Sequence, residues 1–163
     1  FTPIYNNNYQ LVLTDSHLVI HVEMVHDARI VPIYADADSA RARHKPDAIK
    51  PWMGDSVGWW EGDVLVVETV NLHPIQSEQG QIPLSPKGKV TERFQRWADD
   101  EIFYSFTVDD SSNYTRPWTV ENSFRPQSRI YEYACHEGNY AMPGILIGAR
   151  KLEREQEAAA KQK

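Results

Sequence analysis

Apolar and polar residues alternate with a period of two through most of the chain, which predicts strands in preference to helices. Tyr9 to Thr14 reads as a first strand, followed by a turn at Asp15-Ser16-His17. In the next run, Leu18 to Val25, Leu18, Ile20, Val22 and Met24 fall on one face, and Val19, His21, Glu23 and Val25 on the other. Arg29 to Tyr34 is a short third strand interrupted by Pro32, which puts it at an edge or a bend because proline has no N–H for a ladder. Residues 35–50 are polar and predict an irregular loop with one helical turn around Ser39–Arg43.

The stretch Trp52 to Asn71 carries the plainest hairpin. Trp59 and Trp60 end an extended run, Glu61-Gly62-Asp63 supplies the turn, and Val64 to Val70 is β-branched with no helical period. Leu72 to Gly88 has three prolines and two glycines and no period, as binding loops or lids do. Lys89–Trp97 and Glu101–Val108 predict a second hairpin, with Val90, Glu92, Phe94 and Arg96 on one face and Ile102, Tyr104, Phe106 and Val108 on another. Arg116–Phe124 and Arg129–Cys135 predict a third pair, and from Tyr140 the pattern turns helical. The fold class is therefore all-β, an antiparallel meander closed into a lipocalin-like barrel with a C-terminal helix, or alternatively a β-sandwich. Residues 1–150 form one barrel domain and residues 151–163 a charged helical tail.

Composition narrows the function classes. With 163 residues the chain suffices for one domain with a sizeable core, and its 5 Trp, 8 Tyr and 5 Phe supply an aromatic core or pocket. A net charge of −6 and the absence of a basic stripe argue against nucleic acid. No apolar run is long enough for a helical membrane span. The first residue is Phe1, so a processed or trimmed product is expected. The single cysteine, Cys135, is either an inert buried thiol or the partner of a cysteine outside this chain. No phosphate loop, dinucleotide fingerprint, zinc-finger spacing or nucleophile elbow is present, and the sequence leaves the cofactor and any metal unknown.

Four sets of residues could carry chemistry. His21 and Glu23 share a strand face, and with His26 they would make an acid/base pair or part of a metal site; a solvated strand face is the alternative. His136 follows Cys135 in a strand-to-helix turn and would reach a barrel mouth. Glu23, Glu68, Glu92, Glu121 and Glu132 need partners if they point inward, and Arg29, Arg93, Arg116 and Arg129 are the candidates. Trp52, Trp60, Trp118 and Tyr133, with Asp55, are candidate pocket residues, although aromatics in this number also serve as core.

The motifs YNNNYQ at 5–10, EMVHDARI at 23–30, WMGDS at 52–56, WEGD-x-LVV at 60–67, FTVDD at 106–110, RPWT at 116–119 and YEYACHEGNY at 131–140 span nearly the whole chain. Together they resemble the C-terminal half of a family of secreted or periplasmic proteins of Gram-negative soil and aquatic bacteria, for which no activity is assigned. The resemblance implies export by a cleaved signal peptide, and an N-terminal region of the same precursor with a cysteine able to pair with Cys135. Three functions remain open: a secreted barrel that binds a small apolar or aromatic molecule, an acid/base or metal-dependent lyase, isomerase or hydrolase on that barrel, and a self-assembling homo-oligomer.

Overall fold

A computed structural model describes residues 8–23, 27–75, 82–127, 129–130 and 141–160. The chain divides into two compact units, residues 1–132 and 133–163. The first unit is an eight-stranded sheet curled into a half-barrel: β1 (Tyr9–Leu13), β2 (His17–Val22), β3 (Ala28–Tyr34), β4 (Asp55–Glu61), β5 (Val64–Val70), β6 (Lys89–Ala98), β7 (Glu101–Asp109) and β8 (Trp118–Phe124). Every strand lies beside its neighbour in sequence. The all-β, barrel-like fold expected from the alternation is present. Its two outer strands are bridged by side chains, with the Tyr9 and Phe124 rings 5.6 Å apart.

Local chemistry explains the joints. Glu61 pairs with Val64, so β4 and β5 are joined by the two-residue loop Gly62-Asp63. Gly62 has φ 63° at the first loop position, where a type II′ hairpin requires glycine. Gly54 has φ 75°, and a Cβ there would lie 2.7 Å from Thr69 Cγ2, so the entry to β4 admits no side chain.

The segment 35–50 departs from the expected loop. It holds a short helix, α1 (Ala37–Arg41), two residues earlier than the helical turn expected at 39–43. Asp36 sets the start: its carboxylate accepts from Ser39 N–H while Ser39 Oγ accepts from Asp36 N–H, a reciprocal capping box. Because α1 and the chain after it carry the backbone across one face of the sheet, β3 and β4 meet in parallel. The meander is thus antiparallel at every joint except this one.

Strand alternation sorts the core into two faces. Inside the curl, Leu18, Ile20, Val31, Leu65, Val67 and Phe94 pack together, with Tyr9, Ile102, Tyr104 and Phe124 against them. On the opposite face, Val57, Trp59 and Val66 are sealed beneath Ala40 of α1. Trp59 is only 2 % exposed, so truncating it to alanine removes about 3–5 kcal/mol. A third cluster, Leu84, Val90 and Val108, takes in Leu72, Phe106, Tyr114 and Trp118. The described end of the 72–88 loop is therefore packed down: Leu84 is buried, and Asp110 accepts from both Ser85 N–H and Ser85 Oγ.

The second unit contains a helix, α2 (Ala141–Ala160), with Pro143 in its first turn, where a missing N–H costs little. Of the third expected strand pair, Phe124 ends β8, Arg129 and Ile130 are not in a strand, and residues 131–135 lie outside the described residues.

Candidate functional site

The parallel joint has only two pairs, Ile33 with Gly58 and Tyr34 with Trp59. Toward Ala28 and Asp55 the two strands part and leave a cleft of about 280 Å³. Proline explains why the fork stays open. Ile33 N–H donates to Ser16 O on the β2 side, so by alternation the backbone groups of Ile30 and Pro32 face β4. Pro32 has no N–H to offer there, and the ladder stops. β3 is thus paired on both sides and is not the edge strand that Pro32 suggested; the proline instead marks where its ladder with β4 stops.

Arg29, Ile30 and Tyr34 of β3, Arg43 and Lys45 of the segment after α1, and Asp55 of β4 line the cleft. Asp55 is 5 % exposed and fully engaged. Its Oδ2 accepts from Lys45 N–H at 2.7 Å and His44 Nδ1 at 2.9 Å, and its Oδ1 from Lys45 Nζ at 3.0 Å. Burial pushes the Asp55 carboxyl up, but these three donors outweigh it and hold the group below the usual carboxylate range. Asn71, at φ 54°, donates its Nδ2 to Lys45 O at 2.8 Å and fixes that loop from the other side.

His44 continues the network over the outer face. Its Nε2 lies 3.5 Å from Glu68 Oε1 and has no hydrogen-bond partner among the described residues. Glu68 accepts from Arg41 Nε at 3.2 and 3.3 Å, and the Arg41 guanidinium stands over the Trp59 ring at 4.9 Å. His44 is therefore oriented by Asp55 and faces a second carboxylate, an arrangement that clamps α1 to the sheet and leaves no ring nitrogen directed at a substrate.

Arg29 connects the cleft to the inside of the curl. Its Nη2 lies 2.8 Å from Glu92 Oε1 and 2.6 Å from Oε2, and only the first contact has hydrogen-bond geometry. Tyr104 OH donates to Glu92 Oε1 at 2.9 Å. Burial would raise the Glu92 carboxyl, but the Arg29 charge and its hydrogen bond hold it below the ordinary glutamate value. Arg29 is pushed up for the reciprocal reason, against the opposing effect of its own burial. Burial, then the Glu92 charge, pushes the Tyr9 hydroxyl up to about 12 and drives Tyr104 higher as well. Ser56 Oγ and Thr69 Oγ1, 2.8 Å apart, extend this polar line toward β4.

Apart from Asp55, the described candidates read from sequence do not line the cleft. His21 lies on the face of β2 opposite Leu18 and Ile20, and Glu23 accepts from Asn8 Nδ2 at 2.8 Å just beyond the strand. His26, Tyr133, Cys135 and His136 lie outside the described residues. Trp52 packs on His73 with ring centroids 4.9 Å apart, Trp60 is 44 % exposed, and Trp118 belongs to the third core cluster. Of the named ligand-binding residues, Asp55 lines the cleft, and it is joined to His44 and Lys45. The described residues contain no group of three or more His, Cys, Asp or Glu side chains able to hold a metal ion. Arg43, His44 and Lys45 were hidden in an apparently irregular loop. The signal that would have raised them is the Asp36/Ser39 capping box, which turns the loop into a helix with a defined exit.

No family model, curated protein or solved structure matches the chain. Its function must be argued from this geometry. Among the described residues, no helix is long and apolar enough to cross a membrane.

Proposed function

We propose that this domain binds a small molecule, and that the ligand sits in the β3/β4 fork and not inside the curl. The observation that carries the reading is the cleft itself, a gap of about 280 Å³ held open by Pro32, beside an inner face taken up by the first core cluster and the Arg29–Glu92 pair. Pockets of this size take small ligands. The absence of His21 and Glu23 from the cleft lining, and the orientation of His44 into two carboxylates, favour binding over acid/base catalysis in the cleft. An apolar or aromatic ligand, as the aromatic content suggested, would find Ile30, Pro32 and Tyr34 along one wall. Export to the periplasm or beyond belongs to the same proposal and is supported by the resemblance alone.

The test is an amide-shift screen of the folded protein against a library of small aromatic and aliphatic molecules. Binders are expected to shift Ile30, Tyr34, Gly54 and Ser56 together. Ala28→Trp places a bulky side chain at the cleft wall, away from the core, and should abolish those shifts while the spectrum stays folded. Binders that shift only residues of the inner face, or that bind Ala28→Trp unchanged, would overturn the reading.

A further inference from the structure

We infer that the ligand of this cleft is a small organic anion with an apolar body, its charged group met by Arg43; the inference rests on the binding reading above. Three cations line the cleft against one carboxylate, in a chain whose net charge is −6. Two of them are already neutralised, Arg29 by Glu92 and Lys45 by Asp55. Arg43 is different: among the described residues no carboxylate pairs with it. Asp55 cannot serve it in place of a ligand, because its two oxygens already accept from Lys45 and His44. The local excess is thus one positive charge on a guanidinium, whose planar fork suits a carboxylate.

The apolar part of the lining bears on the other half of the ligand. Ile30, an exposed residue, lines the cleft with Pro32 and Tyr34, and an apolar body laid against them would remove part of that surface from water. Strand addition by a peptide is disfavoured, because Pro32 removes the donor that the next ladder step would use. An unpaired guanidinium and apolar side chains in one cleft suit an aromatic or branched aliphatic carboxylate.

Phenylacetate and its uncharged isostere phenylacetamide separate the two claims, measured by amide-shift titration at low salt. Phenylacetate is expected to bind roughly five- to tenfold tighter, with the preference shrinking as salt screens the charge. Arg43→Gln lies on the exposed surface. It should bring the two probes to nearly equal affinity while leaving phenylacetamide unchanged. Equal binding of both probes at the cleft by the wild-type protein would overturn the anion inference and leave the binding reading standing. If neither probe shifts the cleft residues at millimolar concentration, both readings fall.

Discussion

Glu68 and Glu92 lie on adjacent strands, are 5 % and 4 % exposed, and are neutralised in different ways on opposite faces of the sheet. Glu92 faces the inside of the curl, where the partnering Arg29 side chain is itself only 14 % exposed. Glu68 faces outward beneath α1, where Arg41 is 49 % exposed and His44 shares the load. The inner pair has traded water for one opposite charge each, with only neutral hydrogen bonds from Tyr104 to Glu92 and from Arg29 to Thr69 beside it, so among the described residues neither charge has a second counter-ion. The outer cluster keeps one side wet: the half-exposed Arg41 donates to Glu68 while His44 Nε2 stands 3.5 Å off without a hydrogen bond, so solvent screening keeps each contact small. Similar burial of two glutamates therefore does not mean similar energetic weight.

The comparison breaks most visibly at Arg29. Arg29→Met leaves Glu92 buried without its cation and should cost about 3–5 kcal/mol in urea unfolding. Adding Glu92→Leu to the same protein should return stability to within about 1–2 kcal/mol of wild type, since an apolar replacement of a buried pair is close to neutral. If the single variant lost no more than an exposed pair does, the inner pair would be solvated after all.

Acid should reach both faces, through Glu92 on one and Asp55 on the other. Both carboxyls are held below their ordinary values, so the unfolded chain binds protons more readily than the folded one. Their contribution is complete above about pH 5 and is lost as pH falls through the lowered folded values, below about pH 4. Glu92→Leu in the Arg29→Met background should flatten this acid limb, as followed by circular dichroism against pH. An unchanged limb would assign it to other groups.

On the outer face, Arg41→Ala removes the Glu68 contact and the stacking over Trp59. With the guanidinium half in water, the expected loss is about 1 kcal/mol or less, several-fold smaller than at Arg29. The smallest effect is expected at Tyr9, whose buried hydroxyl has no partner among the described residues. Tyr9→Phe should leave stability at neutral pH unchanged or raise it by up to about 1 kcal/mol. It should also soften the alkaline limb. Because the Tyr9 hydroxyl is pushed up to about 12, the unfolded chain releases this proton first, and stability is lost as pH rises from about 10 toward 12.

Period-two alternation made the later strands legible. Val90, Glu92 and Phe94 face inward, as do Tyr104 and Val108, where their spacing placed them. Arg29 was legible as a possible partner for an inward glutamate, but its choice of Glu92, 63 residues away, depends on how the sheet curls. The cleft was not legible. It arises from a parallel joint reached by the crossover of the 35–54 segment, whose helix is five residues long, too short to show a period. His44 and Lys45 acquire meaning only once Asp55 is brought beneath them, while the residues with an obvious chemical look, His21 and Glu23, do not line the cleft.

The strand order has a consequence for how the chain is made. No ladder waits for a distant segment, since each strand pairs with the one synthesised just before it. The antiparallel ribbon β1–β3 is complete before α1 emerges, and β4–β8 extends one hairpin at a time. Local pairing of this kind favours rapid folding and leaves few unpaired edges during synthesis. The long-range step comes late: Glu92 must be synthesised before Arg29 loses its exposure to water. Until then the emerging chain carries a solvated arginine at the future joint, and the inner face is completed only when its counter-charge arrives.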